Sequence, residues 1–266
     1  MILILGTKKK IQNIEEQRVL KTKKISMPFN LNNVDVTVAA NSVFGITSGS
    51  IYNINGFGDL FLNNTDLQAI YLNSTKFISW AISTNFSSRP DLAQVYYPST
   101  FNFMWYASRT LFLIENEYQK YIHCKQQNSA SNNEFIIRFE SLQAILFEAK
   151  FYLQEAFENA ATQDLLKWSI PTDSSRSQIY FRDFLGLNDT SVFNKPEQNN
   201  EDSIFTTSQA LNILISTWTF QNPSDNKLYL KKNVSKDVID LMKGSVEWLK
   251  QHAIQGKLKP LNGKSK

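Results

Sequence analysis

The stretch from Pro98 to Ile122 constrains the fold of this chain more than any other part of the sequence. Its apolar residues recur at three- and four-residue steps, among them Met104, Leu111 and Ile114. This is the period of a helix that buries one face. The turn Pro98-Ser99-Thr100 supplies a start signal, since the hydroxyl of Ser99 or Thr100 can accept a hydrogen bond from a free amide of the first helical turn. The pattern therefore predicts a long, aromatic-rich helix that starts near Ser99.

The helical period recurs along the rest of the chain. It predicts further helices over Val34–Ile51, Asp66–Thr84, Asn133–Asn159, Ala160–Trp168, Thr206–Thr219 and Ser235–Ala253. Strand patterns are few: Ile179–Leu185 interrupts an irregular stretch, and Leu228–Leu230 reads as a short extended piece. The chain has only 9 glycines and 7 prolines, which favours long helices over a turn-rich sandwich. We predict an all-α domain built from antiparallel helical hairpins.

Positive charge is concentrated at the two ends of the chain. Residues 1–24 carry seven basic and two acidic side chains, residues 25–226 carry eleven and nineteen, and residues 227–266 carry ten and three. We divide the chain into a basic N-terminal arm (1–24), a helical domain (25–254) and a basic flexible tail (255–266). The ends either dock on an anionic partner or are solvated flanks. Neither end interleaves basic residues with aromatic rings, as nucleic-acid grooves do.

The sequence says little about the compartment. One cysteine, Cys124, excludes an intrachain disulfide and favours a reducing environment. Five glycosylation sequons fit a glycoprotein, but the Asn, Ser and Thr content produces about that number by chance: Asn63, Asn73, Asn85, Asn188 and Asn233. The N-terminal apolar run is too short for a signal peptide, and no run of about 20 apolar residues predicts a transmembrane helix. These observations predict a soluble chain and leave its compartment open.

Residue types with specialised chemistry are scarce. The two histidines, His123 and His252, and the single cysteine do not form a zinc-binding spacing. His123 adjoins Cys124, but neighbours on a helix point about 100° apart, which suits a nucleophile and its base poorly. The P-loop, G-x-S-x-G and G-x-G-x-x-G motifs are missing. We therefore predict neither a metal site nor a cofactor.

Carboxylates are the remaining candidates for acid–base chemistry. Four glutamates share one side of the predicted helix Asn133–Asn159, where they either line a polar cavity or form a solvated face. They are Glu140, Glu148, Glu155 and Glu158. Asp35 is an isolated acid in an apolar run, which fits either a buried acid with a partner or a helix N-cap. If the protein is an enzyme, we predict Asp35 and Glu148 as its catalytic pair, exchanging protons as paired glycosidase carboxylates do.

One charge, Arg109, lies inside the aromatic run, four residues after Trp105. Its guanidinium can stack on the indole or pair with a buried acid, and it can equally snorkel from the edge of the core. We predict Trp105, Tyr106 and Arg109 as substrate contacts. In this interpretation Arg109 holds an anionic ligand beside an aromatic wall that includes Phe101.

Two segments resemble the helical hairpins of α/α-toroid proteins, a group that includes terpenoid cyclases and six-hairpin glycosidases. Val34–Ile46 resembles a toroid helix whose start carries an acid and an Asn, and 246–258 resembles a toroid helix followed by the cyclases' Gln…Gly-x-Trp repeat. Gln251 and Gly256 match that repeat, whereas Leu258 replaces its Trp. The cyclases' Asp-x-Asp-Asp motif is missing, so the resemblance transfers no catalytic residue. It implies a partial toroid around a central cavity.

These observations predict a cavity-forming helical domain that binds or hydrolyses a carbohydrate, or holds another small ligand in its cavity. The alternative is a non-catalytic helical scaffold or interaction protein that docks a partner through its basic ends. A deep cavity lined by Trp and carboxylates would favour the first prediction. A closed core with the four glutamates in solvent would favour the second.

Overall fold

The computed structural model describes residues 35–84, 99–127, 133–183 and 203–254. Helices make up 79% of the structure and pack as antiparallel neighbours, which confirms the predicted all-α class and the hairpin packing. The predicted basic arm (1–24) and tail (255–266) lie outside the described residues, so the division of the chain stays a prediction. No described helix is long and apolar enough to cross a membrane.

The predicted helices occur in the predicted order, but residues 53–64, which we expected to form a loop, contain a short helix, Phe57–Leu62. Within the described residues they are α1 Val36–Ile51, α2 Phe57–Leu62, α3 Thr65–Ser83, α4 Thr100–Gln127, α5 Asn133–Ala156, α6 Thr162–Trp168, α7 Ser203–Trp218 and α8 Lys236–Leu249. A 3₁₀ turn at Ile54–Gly56 precedes α2, and π-helical turns at Phe157–Ala161 and Lys250–Ile254 follow α5 and α8. α4 is longer than predicted, since it continues past Ile122 to Gln127.

Two predicted start signals act as helix caps. The Ser99 hydroxyl oxygen accepts a hydrogen bond from the Asn102 amide at 3.1 Å, at the start of α4. The Ser235 hydroxyl oxygen accepts one from the Val238 amide at 3.3 Å, at the start of α8. Each hydroxyl satisfies an amide that has no partner inside its own helix, so these two residues fix where the helices begin.

Helix α4 lies at the centre of the fold. Helices α1, α5 and α7 pack against it, α3 contacts both α1 and α5, and α8 packs on α7. The buried residues of α4 are spread around the helix rather than along one face, and they include Phe103, Met104, Leu111, Ile114 and Tyr121. Because this helix is enclosed on several sides, it also buries polar side chains, among them Glu115 and Glu117. Buried polar groups need hydrogen-bond partners.

The hydrophobic core contains the apolar residues that we predicted to be buried from the helical period of the sequence. Leu111 on α4 and Leu214 on α7 are fully buried, and Ile145 on α5 packs against the core while partly buried. A polar contact stabilises the α1–α3 interface, where the buried hydroxyls of Thr47 and Tyr71 lie 2.9 Å apart. The Tyr71 hydroxyl would cost stability if it were buried without this partner.

Two short antiparallel ribbons lie at the ends of helices. Strand β1 (Ile170–Pro171) pairs with β2 (Ile179–Tyr180), and strand β3 (Thr219–Gln221) pairs with β4 (Leu228–Leu230). The extended piece predicted at Leu228–Leu230 is therefore confirmed. β1 was not predicted, because two residues that include a proline carry no alternating pattern. The β1–β2 ribbon presents the loop 172–178 to helix α8.

Candidate functional site

The three predicted substrate contacts come together on one side of α4. The guanidinium carbon Cζ of Arg109 lies 4.9 Å from the ring centre of Trp105 and 4.7 Å from that of Tyr106. A third ring, Phe44 on α1, lies 4.5 Å away. Arg109 Nη2 donates a hydrogen bond to Asn41 Oδ1 at 2.7 Å. We call these five residues the Arg109 cluster; their contacts fit the predicted stacking of the guanidinium on aromatic rings.

Arg109 has no acidic partner within the described part of the chain. Its Nε is buried and has no hydrogen-bond acceptor there. Burial lowers the pKa of the guanidinium from its ordinary value, against a small opposing effect of Tyr106. Phe101, predicted as part of the same wall, instead packs 5.7 Å from Trp168 and 5.6 Å from Phe181.

Asp35 caps helix α1. One carboxylate oxygen, Oδ1, accepts hydrogen bonds from the amides of Thr37 at 2.8 Å and Val38 at 3.1 Å. The side chain is only 3% exposed, so both predicted features, burial and an N-cap geometry, are present. A carboxylate in this position compensates the free amides and the positive end of the helix dipole.

Glu148, the predicted partner of Asp35, faces helix α3. Its Oε1 lies 3.1 Å from Lys76 Nζ, and the Tyr152 hydroxyl donates to it at 3.4 Å. Asp35 and Glu148 thus contact different groups, one at the start of α1 and the other on α3. An acid–base reaction that uses both carboxyl groups stays a prediction.

Two of the other glutamates of this row also have lysine partners, whereas Glu155 is exposed and has none among the described residues. Glu140 Oε1 lies 2.7 Å from Lys125 Nζ, and Glu158 Oε1 lies 3.2 Å from Lys231 Nζ. The hydrogen bond from Lys125 lowers the pKa of Glu140. These ion pairs favour the interpretation that the glutamate row is a solvated helix face over the interpretation that it lines a cavity.

Two acids that the sequence did not single out are buried on α4. Glu115 is 7% exposed; it forms an ion pair with Lys150 of α5 and accepts a hydrogen bond from Gln119 Nε2 at 2.9 Å. Burial acts to raise the pKa of Glu115, but Lys150, Gln119 and the charge of Lys231 together hold it below its usual value. Glu117 is 8% exposed and accepts a hydrogen bond from the Tyr52 hydroxyl at 2.7 Å.

A groove lies between helix α8 and the loop 172–178, with a volume of about 630 Å³. We call it the α8 groove. Its polar lining residues are Ser175, Arg176 and Ser177 from the loop and Asp237, Asp240 and Lys243 from the helix. Leu166, Leu241 and Gly244 supply the apolar part of the lining. The volume lies within the range of small-molecule clefts, roughly 300–1,000 Å³.

The three charged residues of α8 that line the groove lie on one face of the helix because they are spaced by three residues. Asp237, Asp240 and Lys243 are exposed, and within the described residues they form no ion pair or side-chain hydrogen bond. Their charges therefore point at the groove without being neutralised by the protein. The spacing is visible in the sequence, but the loop that faces it is about 60 residues away, so the groove itself was missed.

The loop that forms the other wall is held by its own hydrogen bonds. The hydroxyls of Ser175 and Ser177 donate to the two carboxylate oxygens of Asp173 at 2.6 and 2.9 Å. These bonds lower the pKa of Asp173. Arg176 adopts a left-handed backbone with φ of 56°, and its Nη2 donates to Ser169 Oγ at 3.1 Å. The hydroxyls and the guanidinium are therefore positioned before any ligand arrives.

Close packing fixes α8 against β2. A Cβ atom at Gly244 would lie 2.8 Å from Ile179 Cγ1 and 3.2 Å from the Arg176 carbonyl oxygen. Near the end of the helix, the Trp248 ring stacks on Tyr180 with centres 5.3 Å apart and on His252 with centres 4.3 Å apart. His252 is therefore part of a ring stack in this structure.

Within residues 35–84, 99–127, 133–183 and 203–254, no group of three or more His, Cys, Asp or Glu side chains is arranged to hold a metal ion. Comparison with known proteins adds no assignment. No protein-family model, curated protein or solved structure matches the chain significantly.

Proposed function

We propose that this protein binds a carbohydrate in the α8 groove. The observation that carries the proposal is the groove itself: its volume is about 630 Å³, and three of its charged lining residues, Asp237, Asp240 and Lys243, form no ion pair or side-chain hydrogen bond within the described residues. The resemblance to α/α-toroid proteins adds the expectation of a ligand cavity in a helical domain. We also propose that the helices are arranged as a partial toroid, as this resemblance implies.

The lining chemistry suits a ligand with many hydroxyl groups. Ionised Asp237 and Asp240 only accept hydrogen bonds, and Arg176 and Lys243 only donate them. A sugar hydroxyl donates one hydrogen bond and accepts others, so adjacent hydroxyls can satisfy both kinds of group at once. A purely cationic ligand would be repelled by Arg176 and Lys243, and a purely anionic ligand would be repelled by Asp237 and Asp240.

Hydrolysis within the same groove would use its own carboxyl groups. Residues three apart on a helix have Cβ atoms about 5–6 Å apart. Paired glycosidase carboxyl groups lie roughly 5–10 Å apart, depending on the stereochemical outcome. We therefore propose Asp237 and Asp240 as the pair to test if the bound carbohydrate is cleaved, alongside the sequence-predicted pair Asp35 and Glu148.

The proposal is tested by titrating the full chain with a panel of neutral oligosaccharides and measuring heats of binding. We expect Asp240→Asn to weaken binding about tenfold, since a hydrogen bond to a charged group contributes about 1.5–3 kcal/mol. Glu247→Gln is the matched control, because Glu247 lies on α8, is exposed and does not line the groove. Equal weakening by both variants, or no binding by any member of the panel, would overturn the proposal.

The second candidate is a scaffold that docks an anionic partner through its basic ends. Ion pairing within the glutamate row favours it, because Glu140, Glu148 and Glu158 are each neutralised by a lysine of the domain. The test is binding of the full chain to anionic vesicles and to duplex DNA at several salt concentrations. Salt-sensitive binding that disappears on deletion of residues 1–24 and 255–266 would support the scaffold, since screening weakens exposed charge contacts.

A further inference from the structure

We infer that the Arg109 cluster is a second ligand site, which takes a small oxyanion attached to an apolar ring. The oxyanion is a carboxylate or a phosphate group. The site lies on α1 and α4, whereas the α8 groove is formed by α6, α8 and the loop 172–178. This inference is therefore independent of the proposed carbohydrate site.

Charge is the first argument. A partly buried cation is stable when an anion lies beside it, and among the described residues the protein supplies one for each of the other partly buried cations. Lys150 has Glu115, Lys231 has Glu158, and Arg138 has Asp59 and Glu134. Within the described residues, Arg109 has rings and one amide oxygen instead. An oxyanion from a ligand would provide the charge that the protein does not.

The hydrogen-bonding capacity of Arg109 is the second argument. A guanidinium carries five N–H donors in a planar fork that matches a carboxylate or a phosphate. The described residues use one of them, in the bond from Nη2 to Asn41 Oδ1. Nε is buried without an acceptor, which is an unfavourable position for a charged donor. A bound oxyanion would accept from the donors on Nη1 and Nη2 that the described residues leave unused.

The rings define what the oxyanion is attached to. Trp105 and Tyr106 are partly buried, and their ring centres lie 5.0 Å apart at an angle of 34°. Together they present an apolar surface next to the guanidinium. A ligand ring can pack there while its charged group meets Arg109, which an anion without a ring cannot do.

The test is an NMR titration of the full chain with benzoate, acetate, phenyl phosphate and inorganic phosphate. The readout is the indole N–H signal of Trp105, which is assigned by its loss in the Trp105→Phe variant. We expect saturable shifts with the two ring-bearing anions and weaker binding of acetate and inorganic phosphate. A preference for phenyl phosphate over benzoate, or the reverse, identifies which oxyanion the site takes. No saturable shift with any of the four probes would overturn the inference.

Variants then separate the site from general charge effects. Arg109→Gln should weaken binding of the preferred probe about tenfold or more, because it removes a charge-assisted fork. Arg138→Gln is the matched control, since Arg138 is also partly buried but already has two acidic partners. Arg109→Lys keeps the charge and should bind more weakly than the wild type while remaining folded. Unchanged binding in both Arg109 variants would contradict the site.

Discussion

Arg109 and Glu115 lie six positions apart on helix α4, and their side chains have opposite electrostatic surroundings. Glu115 lies against α5 with Lys150 and Gln119 as partners, and the pKa of its carboxyl group is lowered. Arg109 lies against α1, with Asn41 as its hydrogen-bond partner among the described residues and aromatic rings around it. Among the described residues, the charge of Glu115 is compensated by a charge of opposite sign, and the charge of Arg109 is not.

The difference separates a structural charge from a candidate ligand site. The charge of Glu115 is matched by Lys150 from a neighbouring helix, so further charge there would be unfavourable. Removal of either partner would leave the other buried alone. Arg109 is held by contacts that do not neutralise it, so an added anion would be favourable. The three predictions below test this comparison, in order of decreasing effect.

The largest expected effect is that of Lys150→Met. The substitution keeps the apolar stem but leaves the Glu115 carboxylate buried without its cation. We expect a loss of about 3 kcal/mol in the free energy of unfolding at neutral pH, measured by urea denaturation. Lys76→Met removes the exposed partner of Glu148 and should leave the stability unchanged within error.

The double variant Glu115→Leu, Lys150→Met distinguishes charge from packing. If the loss comes from an uncompensated carboxylate, removing that carboxylate as well should recover most of the stability. A double variant no more stable than Lys150→Met would show instead that the lysine stem, rather than the ion pair, stabilises the α4–α5 interface.

An intermediate effect is expected from pH. The pKa of Glu115 is lower in the folded protein than the ordinary value of a glutamate carboxyl group. Its ionised form therefore stabilises the fold above the unfolded pKa, and this contribution is lost as pH falls through the folded pKa. We expect the stability difference between the wild type and Glu115→Gln to shrink as the pH falls below about 4.3, the ordinary pKa of a glutamate. A difference that stays constant over this range would contradict the assignment.

The smallest expected effect is that of Arg109→Met, measured without added anions. The variant keeps an apolar side chain among the rings and loses cation–π contacts, for which we expect a cost of about 1 kcal/mol. The free energy of unfolding is again measured in urea. A cost as large as that of Lys150→Met would mean that Arg109 has a charged partner in the folded chain, and the contrast along α4 would fail.

Much of the fold was predictable because helices depend on local spacing. The apolar period located α3, α5 and α8, and the hydroxyls of Ser99 and Ser235 marked two helix starts. The π-helical turn after Ala156 was not predicted. Such a turn shifts the hydrogen-bond ladder by one residue, and no pattern in the surrounding apolar residues signals that shift.

The candidate sites were only partly predictable. The clustering of Trp105, Tyr106 and Arg109 follows from their spacing on one helix, whereas Phe44 and Asn41 join them through the packing of α1. The burial of Glu115 could not be read from a stretch that turns polar, because α5 supplies the lysine that makes it possible. The α8 groove depends likewise on a loop distant in the sequence.

The missing side chain at Gly244 sets the distance between the two walls of the groove. A methyl group there would touch Ile179 and come within 3.2 Å of the Arg176 carbonyl oxygen, so either the Ile179 side chain would shift or the helix and ribbon would move apart. The width of the opening can therefore be changed by one substitution that alters no charge. We expect a chain with alanine at position 244 to bind larger ligands in the α8 groove than this chain does.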